Sequence, residues 1–183
     1  YWESVLVLNG EVPPQRLNLD FLRKLDAINP RYTGWPVWLN SEKFKDESAH
    51  PYVYSAKLYE AAVVSIVQGW GAHIDFMRLD PSGRFYLRRA YEDDLRPQGK
   101  PSTTLDFGLP ILRVGETIAV GLAFAKGMGC NPEKTSLSFM FVWNNLLGRT
   151  LSSWADPMRM LWEGRPGDRE RADSYAEVPL DMP

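Results

Sequence analysis

"HIDFMRLDPSGRFYLRRAYEDD", residues 73–94, carries the clearest structural signal in the chain. Two runs of alternating side chains flank "DPSG", residues 80–83. Pro81 pre-sets the first corner of a type I turn, and Gly83 can take the left-handed position that closes a three-residue hairpin loop. With Asp80 opposite Arg84, the register pairs Leu79 with Phe85, Met77 with Leu87, and Asp75 with Arg89. The other face pairs Arg78 with Tyr86, Phe76 with Arg88, and Ile74 with Ala90. One face is therefore apolar near the turn and ends in an opposite-charge pair. The other sets arginines directly across from aromatic rings, each pair contributing about 0.2–1 kcal/mol.

Upstream of this hairpin, "SVLVL" predicts a short strand and "NGEVPP" breaks it. "LNLDFLRKLDAINP" then predicts a helix. Asn18 is its N-cap, Leu17 and Leu22 stand at the two staple positions, and Phe21, Leu22, Leu25 and Ile28 share one stripe before Asn29-Pro30. "RYTGWPVWLN" reads as an extended aromatic segment and residues 40–51 as a polar loop. Between Tyr52 and Val67 the β-branched and aromatic residues predict one or two strands, with a helix left open by the Ala-rich middle. "QGWGA" turns the chain into the hairpin.

Downstream, "EDDLRPQGKPSTT" reads as a loop, and Pro110 suits the first turn of a helix running to about Lys126. Ile111, Val114, Ile118, Leu122 and Ala125 form its expected inner stripe, with "KGMG" at its end. Gly108 reads as the helix start and Gly115 as a point of close packing. "SLSFMFVWNN" predicts a strand with Leu137, Phe139, Phe141 and Trp143 on one face, and "LLGRTLSSW" turns at Gly148 into another. Residues 164–183 form a polar tail with an edge strand near "SYAEVPL". The expected fold class is α+β, with mostly antiparallel sheet and two main helices packed on one side.

At 183 residues the chain suits one domain, with composition typical of a globular protein: 44% hydrophobic and 24% charged. The seven tryptophans exceed what a core of this size usually needs, although a large aromatic is most often core. A net charge of −2 gives no support to nucleic-acid binding by bulk charge; such binding would need a local basic stripe. Cys130 is the only cysteine, which excludes an intrachain disulfide and a thiolate-built metal site and fits a reducing, cytoplasmic setting. No apolar run approaches the roughly twenty residues needed to span a bilayer, so no membrane partner is expected. The opening "YWESVLVLNG" lacks an initiating Met and a signal-peptide pattern, and the chain reads as a piece of a longer polypeptide.

Reactive constellations are sparse. His50 and His73 have no nucleophile motif beside them, Cys130 lacks a recognisable local context, and no "GxSxG" elbow occurs. A solvated His50, a strand-edge His73 and an inert, buried Cys130 are the favoured readings. Neither a Walker A lysine pattern nor "GxGxxG" after a strand is present, and no cofactor is implied. Glu92, Asp93 and Asp94, with Asp75 and Asp106, would supply hard oxygen ligands for magnesium, although their spacing is not characteristic. A solvated strand end with local ion pairs is the reading preferred over a metal centre.

The hairpin's second face is the sharpest candidate. Arg78, Arg84 and Arg88 beside Phe76 and Tyr86 combine fixed positive charge with stacking planes, the two ingredients of single-strand nucleic-acid contact. Arg149 and Trp154, around the later turn, are expected to extend it. Against this stands a sheet surface on which arginine stems merely cover apolar area, and this plainer alternative is preferred.

"NPRYTGWPVW", the hairpin stretch, "GLPILRVGET" and "FVWNNLLGRTLSSW" occur in the order found in a set of bacterial proteins, which this chain resembles over most of residues 20–155. Those proteins carry an N-terminal Schlafen/AlbA-type domain assigned to DNA binding, often described as ATP-binding or helix-turn-helix-like, and the similarity is to the region that follows it. The resemblance implies an upstream domain in the same polypeptide and transfers no catalytic residue. The leading expectation is thus a non-catalytic accessory domain that senses a small ligand or mediates interaction, touching nucleic acid through the arginine face. The alternatives are a metal-dependent hydrolase of phosphate esters, using Asp75, Glu92, Asp93 and Asp94, and a structural domain for homo-oligomerisation.

Overall fold

In the computed structural model the hairpin forms in the expected register. β4 (Gly71–Asp80) pairs with β5 (Arg84–Arg89) from Asp80↔Arg84 through Asp75↔Arg89, and the Ala90 amide continues the ladder to the Ile74 carbonyl. Gly83 adopts φ +90° beneath Leu8, where an added methyl would meet the Leu8 side chain at 2.9–3.1 Å. The turn therefore needs glycine twice over, for its backbone angle and for the close approach. The structure describes residues 1–30, 32, 36–37, 51–57, 60–67, 71–97, 99–156, 158–159 and 164–181. The expected polar loop lies outside these residues except at Pro51, as do most of "RYTGWPVWLN" and the start of "QGWGA".

Around the hairpin, the described strands build a seven-stranded sheet in the order β2 (Pro51–Lys57), β3 (Glu60–Val67), β4, β5, β1 (Trp2–Asn9), β7 (Ser136–Asn144), β9 (Arg171–Pro179), every neighbour antiparallel. β1 is longer than the expected "SVLVL"; β2 and β3 settle the ambiguous stretch as two strands. β7 lies between β1 and β9, and β9 is the edge strand expected in the tail.

Two main helices cover one face. α1 (Leu19–Ile28) starts as expected, with the Asn18 side chain accepting from the Phe21 amide at 3.0 Å, and Phe21, Leu22 and Leu25 buried. The long helix, Gly108–Met128, is α3; α2 is a single turn, Glu92–Leu95, inside the expected loop. Gly129 ends α3 in the left-handed conformation, its amide bonding Lys126 while the Cys130 amide bonds Ala125, which satisfies carbonyls that the helix end would leave open. Inside, Trp2, Leu6 and Leu8 of β1, Met77 and Leu79 of β4, Phe85 and Leu87 of β5, and Leu137, Phe139 and Phe141 of β7 meet Val120, Phe124 and Met128.

The buried stripe of α3 shares only Ala125 with the expected one. Arg113, Glu116, Thr117, Val120, Gly121, Phe124, Ala125 and Met128 are buried, whereas Ile111 is 67% exposed. Val114, Ile118 and Leu122 pack only at its border. An apolar helix offers several stripes to the sheet, and the smallest side chain decides which one approaches. A methyl at Gly121 would stand 2.8 Å from the Phe139 ring, whereas Gly115, expected to pack closely, faces open space. By length and composition α3 is apolar enough to cross a bilayer, a span longer than any apolar run expected from the sequence, and here one face of it packs on α1 and the sheet.

A small parallel pair, β6 (Thr104–Asp106) with β8 (Thr150–Ser152), sits beside α2 and the start of α3. Asp106 joins these parts. Its carboxylate accepts from the amides of Gly108 at 2.9 Å, Leu109 at 3.1 Å and Ala155 at 2.8 Å. That bonding satisfies orphan donors at the start of α3 and pins the loop after β8.

Candidate binding face

Strand alternation places Arg78, Arg84 and Arg88 on the face of the sheet opposite α1 and α3, where all three are exposed. Phe76 and Tyr86 lie half-buried between them, their rings edge to face with centroids 6.0 Å apart. β1 contributes a counter-charge. Glu3, paired with Arg88 across the strands, accepts from the Tyr86 hydroxyl at 2.7 Å and lies 3.8 Å from the Arg88 Nε. Burial, reinforced by Glu3, pushes the Tyr86 phenol up to about 12, so it remains a neutral donor. The Arg88 guanidinium also stacks on the Tyr1 ring, 3.8 Å from its centroid.

Beside this stack the sheet surface dips into a depression of about 230 Å³, lined by Ala62, Val64, Ile74 and Phe76 with Tyr1 and Arg88. Cross-strand register explains it: Ala62 faces Phe76 and Val64 faces Ile74, so small side chains on β3 leave room beside larger ones on β4. The result is an apolar hollow next to a guanidinium and two rings, Tyr1 and Phe76. It suits a planar group that carries or adjoins negative charge.

The expected extension through Arg149 and Trp154 does not form. Arg149 is 2% exposed and donates to both oxygens of Asp94 at 2.8 and 2.7 Å, to the Thr104 carbonyl at 2.8 Å and to the Asn145 carbonyl at 2.6 Å. It lies over the Tyr91 ring, whose phenol burial raises further. Trp154 donates its indole N–H to Asp93 at 2.8 Å and lies under the Arg96 guanidinium. These residues bind β8 and its following loop to α2 and are not part of the outer face.

The carboxylates weighed as metal ligands each serve a separate partner. Asp75 pairs with Arg89 in the interior, the two side chains 0% and 1% exposed. Glu92 pairs with Arg113, which also holds Glu116. Asp93 accepts from Trp154 and the Asp106 amide, and burial raises its carboxyl despite those bonds. Burial acts the same way on Asp94, but the Arg149 guanidinium and the Ser102 amide outweigh it and hold that carboxyl below its ordinary value. Among the described residues no group of three His, Cys, Asp or Glu side chains is placed to hold a metal ion.

His50 lies outside the described residues. His73 stands near the start of β4, as expected, half-buried, and burial lowers its pKa. Cys130 is buried, which raises its thiol and leaves little nucleophilic thiolate at neutral pH. The Asp94–Arg149 and Glu92–Arg113 pairs and the depression are not legible in the sequence, because their members come from distant segments with no shared local pattern. No family model matches this chain, and no curated protein and no solved structure is significantly similar to it.

Proposed function

We propose that this chain is a non-catalytic accessory domain whose outer sheet face binds a single-stranded nucleic-acid segment. In this reading, phosphates contact Arg78, Arg84 and Arg88, and a base enters the hollow beside Phe76 and Tyr1. The observation that carries it is the exposure of Arg78, Arg84 and Arg88 around two half-buried rings, with Arg88 also at the rim of a 230 Å³ apolar depression. Sequence-tolerant stacking together with phosphate pairing is how single strands are held elsewhere. In a longer polypeptide the domain would assist an upstream DNA-binding region, as the segment resemblance implies. Phosphoester hydrolysis has less support, because Asp75, Glu92, Asp93 and Asp94 are each occupied by a different structural partner.

Fluorescence anisotropy with short single-stranded DNA and RNA tests the proposal. Three phosphate contacts on a single strand imply a log–log salt slope of about −2, so raising salt from about 50 to 200 mM should weaken binding about twentyfold. The variant R84E/R88E should abolish measurable binding without altering the circular-dichroism spectrum. Binding that is unchanged in this variant would overturn the proposal.

A further inference from the structure

The far edge of the sheet carries a second surface. β9 pairs with β7 along all nine residues, from Ser136↔Pro179 to Asn144↔Arg171, and no described strand lies beyond it. The Leu180 amide bonds the Thr135 carbonyl, which fixes the phase of the ladder. By antiparallel alternation, Ala172, Ser174, Ala176 and Val178 exchange bonds with β7, while Arg171, Asp173, Tyr175 and Glu177 turn their N–H and C=O groups outward. Pro179 has the outward parity too, where its missing N–H costs the β7 ladder nothing. An edge is usually blunted by a bulge, a lysine, or a proline within the strand. β9 has no register shift and no lysine, its proline is its last residue, and its outward charges, Arg171, Asp173 and Glu177, are of both signs.

We propose that β9 pairs antiparallel with β9 of a second copy of this chain, joining two sheets about a two-fold axis at Ser174. The sequence selects this register over its neighbours. Outward groups are all on odd residues, so only registers matching odd with odd allow bonding. Centring on Tyr175 sets Asp173 against Glu177 and places Pro179 where a donor is needed. Centring on Asp173 sets that residue against itself. Centring on Ser174 sets Arg171 against Glu177 and Asp173 against Tyr175, twice each, with Ala172 opposite Ala176 on the helix-covered side. The four outward pairs would exchange about eight backbone hydrogen bonds. Opposite charges and small seam residues make this edge self-complementary, as an isologous contact requires.

Sedimentation velocity over a range of concentrations tests this without any nucleic acid, so its result is separable from the binding proposal. The wild-type chain should dimerise reversibly. R171E and E177R should each weaken the dimer at least about tenfold, by setting like charges opposite each other. The double variant R171E/E177R should restore it. Under oxidising conditions S174C should give a disulfide-linked dimer, because directly opposed residues of a non-hydrogen-bonded pair lie about 4.5 Å apart at Cα, within disulfide reach. V178C should not, since the register places residue 178 opposite residue 170. A strict monomer, a dimer indifferent to these charges, or an edge that takes only an unrelated extended peptide would each overturn the proposal.

Discussion

Replacing Asp75 by leucine removes the partner of Arg89 and leaves a guanidinium 1% exposed beneath the sheet. Arg89 would keep its 2.8 Å bond to the Pro36 carbonyl and its place 5.8 Å from the Trp2 ring centroid, neither of which supplies negative charge. Breaking one side of such a buried pair typically costs about 3–5 kcal/mol. Against a total of about 5–15 kcal/mol for a folded protein, that is a large share. For a chain of this size it corresponds to a fall in Tm of about 6–20 °C. Replacing both partners, in D75L/R89M, removes the charge and its desolvation together, and this variant should recover to within about 1 kcal/mol of wild type or exceed it. Urea unfolding followed by tryptophan fluorescence, analysed as a double-mutant cycle, measures both effects. A loss below about 1 kcal/mol in D75L, or a double variant no better than the single, would refute the claim that charge pairing governs this site. The result also bears on function, because a carboxylate committed to a buried arginine is a poor metal ligand.

Three further predictions concern the helices and the cluster beside them. Gly115→Ala should stabilise by up to about 1 kcal/mol through helix propensity alone, because open space receives the methyl. Gly121→Ala should instead destabilise by about 1–3 kcal/mol, since its methyl would press on Phe139 and Leu6; thermal melts of the two variants should move in opposite directions. Asp94 and Asp93 should respond oppositely in pH-dependent melts. Because the folded state lowers the Asp94 carboxyl below its ordinary 3.8, its stabilisation is complete above that value and fades as pH falls through the folded value, so the deficit of D94N at neutral pH should vanish in acid. The Asp93 carboxyl is raised, so its ionised form opposes folding at neutral pH, and D93N should equal or exceed wild type there while still accepting the Trp154 N–H.

The hairpin's register was legible in the sequence because its causes are local. Pro81 and Gly83 set the turn, and alternation of side chains then assigns every residue of β4 and β5 to a face. The Asn18 cap, the α+β class and the late edge strand were legible for similar reasons of short-range chemistry and periodicity. The orientation of α3 was not, since most of its circumference is apolar and Gly121 against Phe139 selects the buried stripe. Arg149 and Arg88 look alike along the chain, yet Arg149 meets Asp94, fifty-five positions away, whereas Arg88 remains on the open face. Local patterns determine which way a side chain leaves the backbone. Only the assembled layers decide whether water, a helix or an opposite charge awaits it, because burial and pairing depend on segments distant in sequence.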